Sequence, residues 1–333
     1  MFRRSKSGTG TLPRVAALIL LISLTSFSSL GLGDPPPSSD PGEYSISVDV
    51  GLVVLPVIVT DRQGKAVSGL EADSFQVFED GRPQQIALFE AEDVPVTAGL
   101  VIDNSGSMRA RQPEVIAAAG EFARSSNPQD EMFVVKFNQR VSLGLPKGVA
   151  FTHDLSQLLN AVSRTPAAGN TALYDGLAVA LEHAKAGTAS RKALILISDG
   201  EDNASRLSYQ ALLKRAEAAN VQIYTLGVFD EMYSGSHSGR VLKRLAKVTG
   251  GKAYFPASAA QIPAICQQIA RDLRHQYTLG YLPSNPGSAG AYHAIRVTAR
   301  GEGDQKLRVY TRAGYLLPPE PQGAEPLPAK ASL

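Results

Sequence analysis

Two stretches of the chain, TAGLVID (97–103) and KALILISD (192–199), each carry an unbroken apolar run that closes on an aspartate. A strand with one wet face alternates polar and apolar residues. A run without alternation needs cover on both faces, which is the condition of a parallel sheet with helices above and below it. EMFVVKF, VSLGLP, VQIYTLGV and KAYF read as further strands. PEVIAAAGEFARSS, THDLSQLLNAVSR, TALYDGLAVALEHAKA, SYQALLKRAEAAN, SGRVLKRLAKVTG and QIPAICQQIARDL repeat apolar residues at helical spacing. Strand alternating with helix over 96–274 predicts a doubly wound α/β domain with a mostly parallel sheet.

The flanks have a different texture. YSISVDVGLVVLPVIVTD, SFQVFE and QQIALFEA are strand-like and separated by the turn signals RQGK and EDGRP. After His275, QYTLGYLP, YHAIRVTAR and LRVYTRAGYLL are strand-like again. Each flank is too small to bury a core alone. Residues 44–95 and 275–317 are therefore expected to pair into one small β-sandwich-like domain, with the α/β domain inserted between them. The Pro-rich stretches 34–43 and 318–333 read as a linker and a disordered tail.

Residues 1–33 read as a signal peptide: a basic start, the apolar VAALILLISL, then small residues. This places the mature protein outside the cytoplasm, periplasmic or secreted. If the segment stays uncleaved, it serves as a membrane anchor. Removing it takes away Arg3, Arg4, Lys6 and Arg14, leaving 29 of the 33 Lys+Arg against 31 Asp+Glu. That balance argues against nucleic acid as a partner. VTGGKAY lacks a full phosphate-binding loop, and no small-molecule cofactor is expected. Cys266 is the single cysteine, so no disulfide forms within the chain. Its spacing with Ile262, Ile265, Ile269 and Leu273 puts it on a packed helical stripe.

In doubly wound sheets, ligands bind beyond the carboxyl ends of the strands, where strand order reverses. Asp103 and Asp199 close two such strands. Two carboxylates about 5 to 7 Å apart repel by roughly 2 to 3 kcal/mol, a penalty that a cation between them removes. Ser105 and Ser107 follow at alternate positions, with Gly106 read as the residue that lets both hydroxyls face one point. Thr171, in AAGNTALYDG, offers a third hydroxyl. An all-oxygen set of this kind suits magnesium or manganese. Taken singly, each element is ordinary: DNSGS as a capping turn, Thr171 as a helix N-cap, Asp199-Gly200 as a turn. Asp175 reads as a first-turn carboxylate favoured by the helix dipole, or as a group behind the site.

With these residues in this order, the chain resembles the von Willebrand factor type A family. Asp103-x-Ser105-x-Ser107, Thr171 and Asp199 match the pattern of that family's metal-ion-dependent adhesion site. The resemblance implies a six-stranded sheet flanked by helices. It also implies that the three hydroxyls contact the metal directly or through water, while the two aspartates act largely through water. A metal held mainly by neutral oxygens keeps its affinity for an acidic side chain, so the implied partner is a protein offering Asp or Glu. The flanking segments are similar to those of exported bacterial proteins described as von Willebrand factor A related, best known from acidobacteria.

No enzymatic activity is expected. DNSG has no histidine before it, and His153, His183, His237, His275 and His293 read as surface or capping residues without metal-pair spacing. The rival readings are a structural module of an envelope assembly that acts without metal, and a hydrolase. Arg109, Arg111, Glu201, Asp202, Tyr233 and His237 lie in loops around the strand ends and are the candidate partner-binding rim.

Overall fold

The computed structural model describes residues 51–317 apart from 229–235, 286–289, 302 and 304. The expected signal peptide (1–33), the expected linker, Tyr233 and the Pro-rich tail lie outside the described residues. The N-terminal flank supplies β1 (Val53–Thr60), β2 (Phe75–Glu79), β3 (Arg82–Gln84) and β4 (Ile86–Glu90). In β1 the side chains of Leu55, Val57 and Val59 point one way into a core, as the two-residue period of a strand requires.

From Val96 the chain alternates strand and helix, as the sequence predicts. β5 (Val96–Asp103) is followed by a six-residue 3-10 turn and α1 (Gln112–Ser125). Then come β6 (Glu131–Phe137), β7 (Val141–Leu143), α2 (Leu155–Ser163) and α3 (Leu173–Lys185). β8 (Arg191–Ser198), α4 (Tyr209–Ala218), β9 (Gln222–Gly227), α5 (His237–Thr249), β10 (Ala253–Tyr254) and α6 (Ile262–Arg274) complete the domain. The six strands form one sheet in the order β10-β9-β8-β5-β6-β7, parallel except for the β6–β7 hairpin. β5 is buried at all eight positions, so both faces of the sheet centre are covered. Cys266 lies on the buried stripe of α6, where the apolar surroundings push its thiol up to about 12.

The C-terminal flank adds β11 (Tyr277–Tyr281), β12 (Tyr292–Ala299), β13 (Arg308–Tyr310) and β14 (Gly314–Leu316). These strands interleave with the N-terminal ones into two four-stranded sheets, β13-β1-β11-β4 and β14-β12-β2-β3. Their shared core includes Leu55, Val57, Phe75, Val77, Tyr277, Leu279, Tyr281 and Val297. Among the described residues, no helix is long and apolar enough to cross a membrane.

β5 follows the chain into the sheet centre, and the chain then moves outward through β6 before returning to β8 on the other side. Strand order therefore reverses beside β5, which opens a crevice at the carboxyl ends of β5 and β8. Gly99 allows the close packing at that centre. A Cβ there would lie 2.3 Å from Phe133 Cζ and 2.6 Å from Leu194 Cδ2. Gly99→Ala is expected to destabilise the protein by about 1 to 3 kcal/mol, read by urea denaturation. An unchanged midpoint would contradict the packing.

Candidate metal centre

β5 and β8 end side by side, and their last residues converge. Asp103, only 2% exposed, accepts a hydrogen bond from Ser105 N at Oδ1 (2.9 Å) and one from Ser198 Oγ at Oδ2 (2.6 Å). Gly200 N donates to the same Ser198 Oγ at 2.9 Å, which ties the two strand ends together through one hydroxyl. Ser105 Oγ and Ser107 Oγ are 3.0 Å apart, and Ser107 Oγ donates to Asp199 Oδ2 at 2.6 Å. Ser105 is the residue before the 3-10 turn, yet its side chain makes no capping bond there, so its hydroxyl is left to face Ser107.

Three loops are stitched together by backbone bonds. Gly106 N donates to Gly169 O at 3.0 Å and Ala168 N to Asn104 O at 2.9 Å, joining the first loop to the second. Thr171 N donates to Asn203 Oδ1 at 2.8 Å, while Asn203 N and Ala204 N donate to Thr171 O, joining the second to the third. Thr171 is thus 3% exposed and fixed between the other two loops. The N-cap of α3 is Ala172, so Thr171 lies one residue outside the helix. The sharp reversal belongs to Gly169, at φ +86°, and to Gly200, at φ +75°. Gly106 has no positive φ, and a Cβ on it would meet Gly169 O at an ordinary 3.5 Å. The convergence assigned to Gly106 from sequence is thus produced by the loop opposite.

The other sequence-derived residues fall as follows. Asp175 accepts from Arg206 N and Leu207 N, both at 3.0 Å, so it pins the third loop from behind. Asp202 turns inward, accepting from Ser205 Oγ at 2.6 Å and Tyr174 N at 3.3 Å. Glu201 is exposed, with its N–H donated to Asp199 Oδ1. Arg109 is exposed and donates through Nε to Ala167 O at 3.2 Å, and Arg111 is half-buried. His237 is the first residue of α5 and exposed, where the sequence had put it in a loop. His153 and His183 bond the carbonyls of Asp130 and Ala150 through ring nitrogens, each at 2.9 Å. His293, read as a surface or capping residue, is instead 5% exposed inside the β-sandwich. Sequence reasoning missed Ser198, and it reads Asn203 as part of the rim loop after Asp199 where the structure has its side chain bonded to Thr171 N. Ser198 could have been found, since it immediately precedes Asp199 at a buried strand end.

The two serine hydroxyls have the spacing that a small hard cation would require. Adjacent corners of an octahedron with bonds of 2.0 to 2.1 Å lie about 3.0 Å apart, which is the Ser105–Ser107 spacing. Burial pushes the Asp103 carboxyl up to about 6, Asp199 adds to the rise, and the bonds from Ser105 and Ser198 oppose it. The folded value lies above the unfolded one. Between about pH 4 and 6 the folded form therefore holds a proton that the unfolded chain has released, and stability falls as pH rises through that window.

The family described as von Willebrand factor type A domain matches residues 99–268, half of the chain. A von Willebrand factor type A structure from Catenulispora acidiphila aligns with 81% of this chain and 74% of its own, at 13% identity and TM-score 0.48. The vWF domain of the type V pili tip protein Mfa5 from Porphyromonas gingivalis aligns with 54% of this chain and 95% of its own, at 16% identity and TM-score 0.45. The conserved hypothetical protein BatB from Bacteroides thetaiotaomicron aligns over 53% and 98%, at 16% identity and TM-score 0.43. No curated protein matches the sequence.

In chelator, Asp103→Asn is expected to raise the unfolding free energy at pH 7.5 by on the order of 1 to 3 kcal/mol. The gain should shrink at pH 4.5, as read by denaturant titration at both values. A gain of equal size at both would contradict the buried-charge account.

Proposed function

The chain belongs to the von Willebrand factor type A domain family, and from that membership we propose that it is an exported protein-interaction module whose grip on its partner depends on magnesium or manganese. Support comes chiefly from one observation: two serine hydroxyls 3.0 Å apart, with the Asp199 carboxylate 2.6 Å behind one of them, at the point where strand order reverses. When bound, the cation supplies a Lewis-acidic position for a carboxylate oxygen.

Ser105, Ser107 and Thr171 offer neutral oxygens, so little negative charge is spent at the open side. Asp103 and Asp199 hold the two serines in place, Asp103 through the turn it anchors and Asp199 by accepting from Ser107. An Asp or Glu of a protein partner completes the arrangement. Arg109, Arg111, Glu201, Asp202, Tyr233 and His237 are the proposed rim that selects the partner. In that role Asp202 acts by holding its loop, because its carboxylate is engaged with Tyr174 and Ser205. The flanking segments 44–95 and 275–317 are proposed to form the platform that presents the inserted domain. Residues 1–33 are proposed to export the chain.

Binding rather than turnover is favoured by what the candidate nucleophiles do. Ser105 and Ser107 engage each other and Asp199, while His153 and His183 engage backbone carbonyls. The purified protein is expected to bind magnesium or manganese in calorimetric titration, and Asp103→Ala and Thr171→Ala to abolish that binding while the far-ultraviolet circular dichroism stays unchanged. Crosslinked capture of the native partner should disappear in excess EDTA. A titration silent at millimolar metal, or capture that persists in chelator, overturns the proposal.

A further inference from the structure

We propose that Glu79, Asp80 and His293 form a second metal site, of the zinc class, in the β-sandwich and independent of the crevice between β5 and β8. The three side chains come from opposite flanks of the chain. Glu79 closes β2, Asp80 begins the turn to β3, and His293 lies on β12, which pairs antiparallel with β2. His293 Nδ1 is 2.8 Å from Asp80 Oδ2 and 3.5 Å from Glu79 Oε1, and one ligand atom from each residue falls within 4.8 Å of the others.

Several features make this a built arrangement. Glu79, 3% exposed, accepts at Oε2 from the hydroxyls of Tyr281 and Tyr315, which leaves Oε1 facing the imidazole. Such outer hydrogen bonds fix the direction of a ligating carboxylate. His293 stacks on the Tyr315 ring at 5.3 Å, and its Nε2 has no hydrogen-bond partner, so the polar contacts of its ring are the two carboxylates at Nδ1. Asp80 has φ 49° and is the non-glycine residue with positive φ among those described. That conformation lets Oδ1 accept from Ala294 N at 2.8 Å while Oδ2 reaches His293.

Charge also asks for a cation. Among the described residues, the ion-pair partner of both carboxylates is the imidazole, with Arg82 adding a weaker attraction on Asp80 from outside ion-pair distance. Exposure of Asp80 leaves a path from solvent to the otherwise buried cluster.

The donor types decide the metal. An imidazole nitrogen with two carboxylate oxygens suits zinc better than magnesium, which takes oxygen ligands. Tetrahedral zinc with bonds near 2.0 to 2.2 Å places neighbouring ligand atoms about 3.3 Å apart, so Glu79 at 3.5 Å is nearly in place, while Asp80 at 2.8 Å would move outward by about half an ångström to exchange its hydrogen bond for the ion, with water in the fourth position. The bound ion would fasten the two flanks to each other across 213 residues of sequence.

The test uses the full chain, stripped of metal, competing for Zn²⁺ against a chromogenic chelator with magnesium in excess. One equivalent of Zn²⁺ should bind. Asp80→Asn keeps an acceptor for Ala294 N, and Asn tolerates the left-handed turn, so its melting temperature in EDTA should match that of the unaltered protein. Its Zn²⁺ affinity should nonetheless fall by about tenfold or more. His293→Gln should lose binding as well, whereas Asp103→Ala should bind Zn²⁺ like the unaltered protein. Absence of Zn²⁺ binding, or equal affinity in Asp80→Asn and the unaltered chain, overturns the site. Loss of Zn²⁺ binding in Asp103→Ala would assign the ion to the crevice instead.

Discussion

Asp103 is a carboxylate sealed at the end of the most central strand, and the surrounding structure is arranged around that placement. Removing a charge from water costs several kcal/mol unless dipoles or an opposite charge replace the lost hydration. Here the replacements are a backbone N–H from the turn that follows and a hydroxyl from the neighbouring strand. The first is local to the turn, and the second depends on β5 and β8 running parallel, in register from Val96↔Arg191 to Ile102↔Ile197. The covered sheet, the reversal of strand order and the turn at Ser105 are thus conditions for one another.

The same economy appears in the loops. Apart from the 3-10 turn, the three loops are irregular, and their N–H groups are answered by other segments: Gly106 by Gly169, Asn203 and Ala204 by Thr171, Arg206 and Leu207 by Asp175 in the first turn of α3. A loop whose N–H groups are answered by a neighbour gains little by rearranging alone. The serine hydroxyls are therefore carried by loops braced against their neighbours.

Most of the α/β part, residues 96–274, was legible because its strands are long, unbroken apolar runs and its helices are strongly periodic. TAGLVID, EMFVVKF and KALILIS fall within a residue of their observed bounds. VSLGLP and KAYF shorten to three and two residues, at the two edges of the sheet, where a strand has a partner on one side only. The hydroxyl and carboxylate set could be read from order and context, but the means of holding it could not. Ser198, Asn203 and Asp175 act through contacts between loops 30 to 95 residues apart, which carry no local pattern. Glu79 and Asp80 were visible only as part of the turn EDGRP. Their neighbours His293, Tyr281 and Tyr315 arrive from more than 200 residues away, through a strand pairing that composition does not encode.

β4 and β11 are adjacent antiparallel strands, and Glu90, where β4 ends, pairs with Thr278, near the start of β11. The chain thus leaves the sandwich and returns to it at neighbouring rungs of one ladder, with Arg274 bonded to Asp93 at 2.7 Å beside the junction. Tension applied through the flanking segments would then run through the sandwich's own ladders and bypass residues 96–274. The bond proposed at the crevice would hang from the side of that load path, as a hook hangs from a taut line.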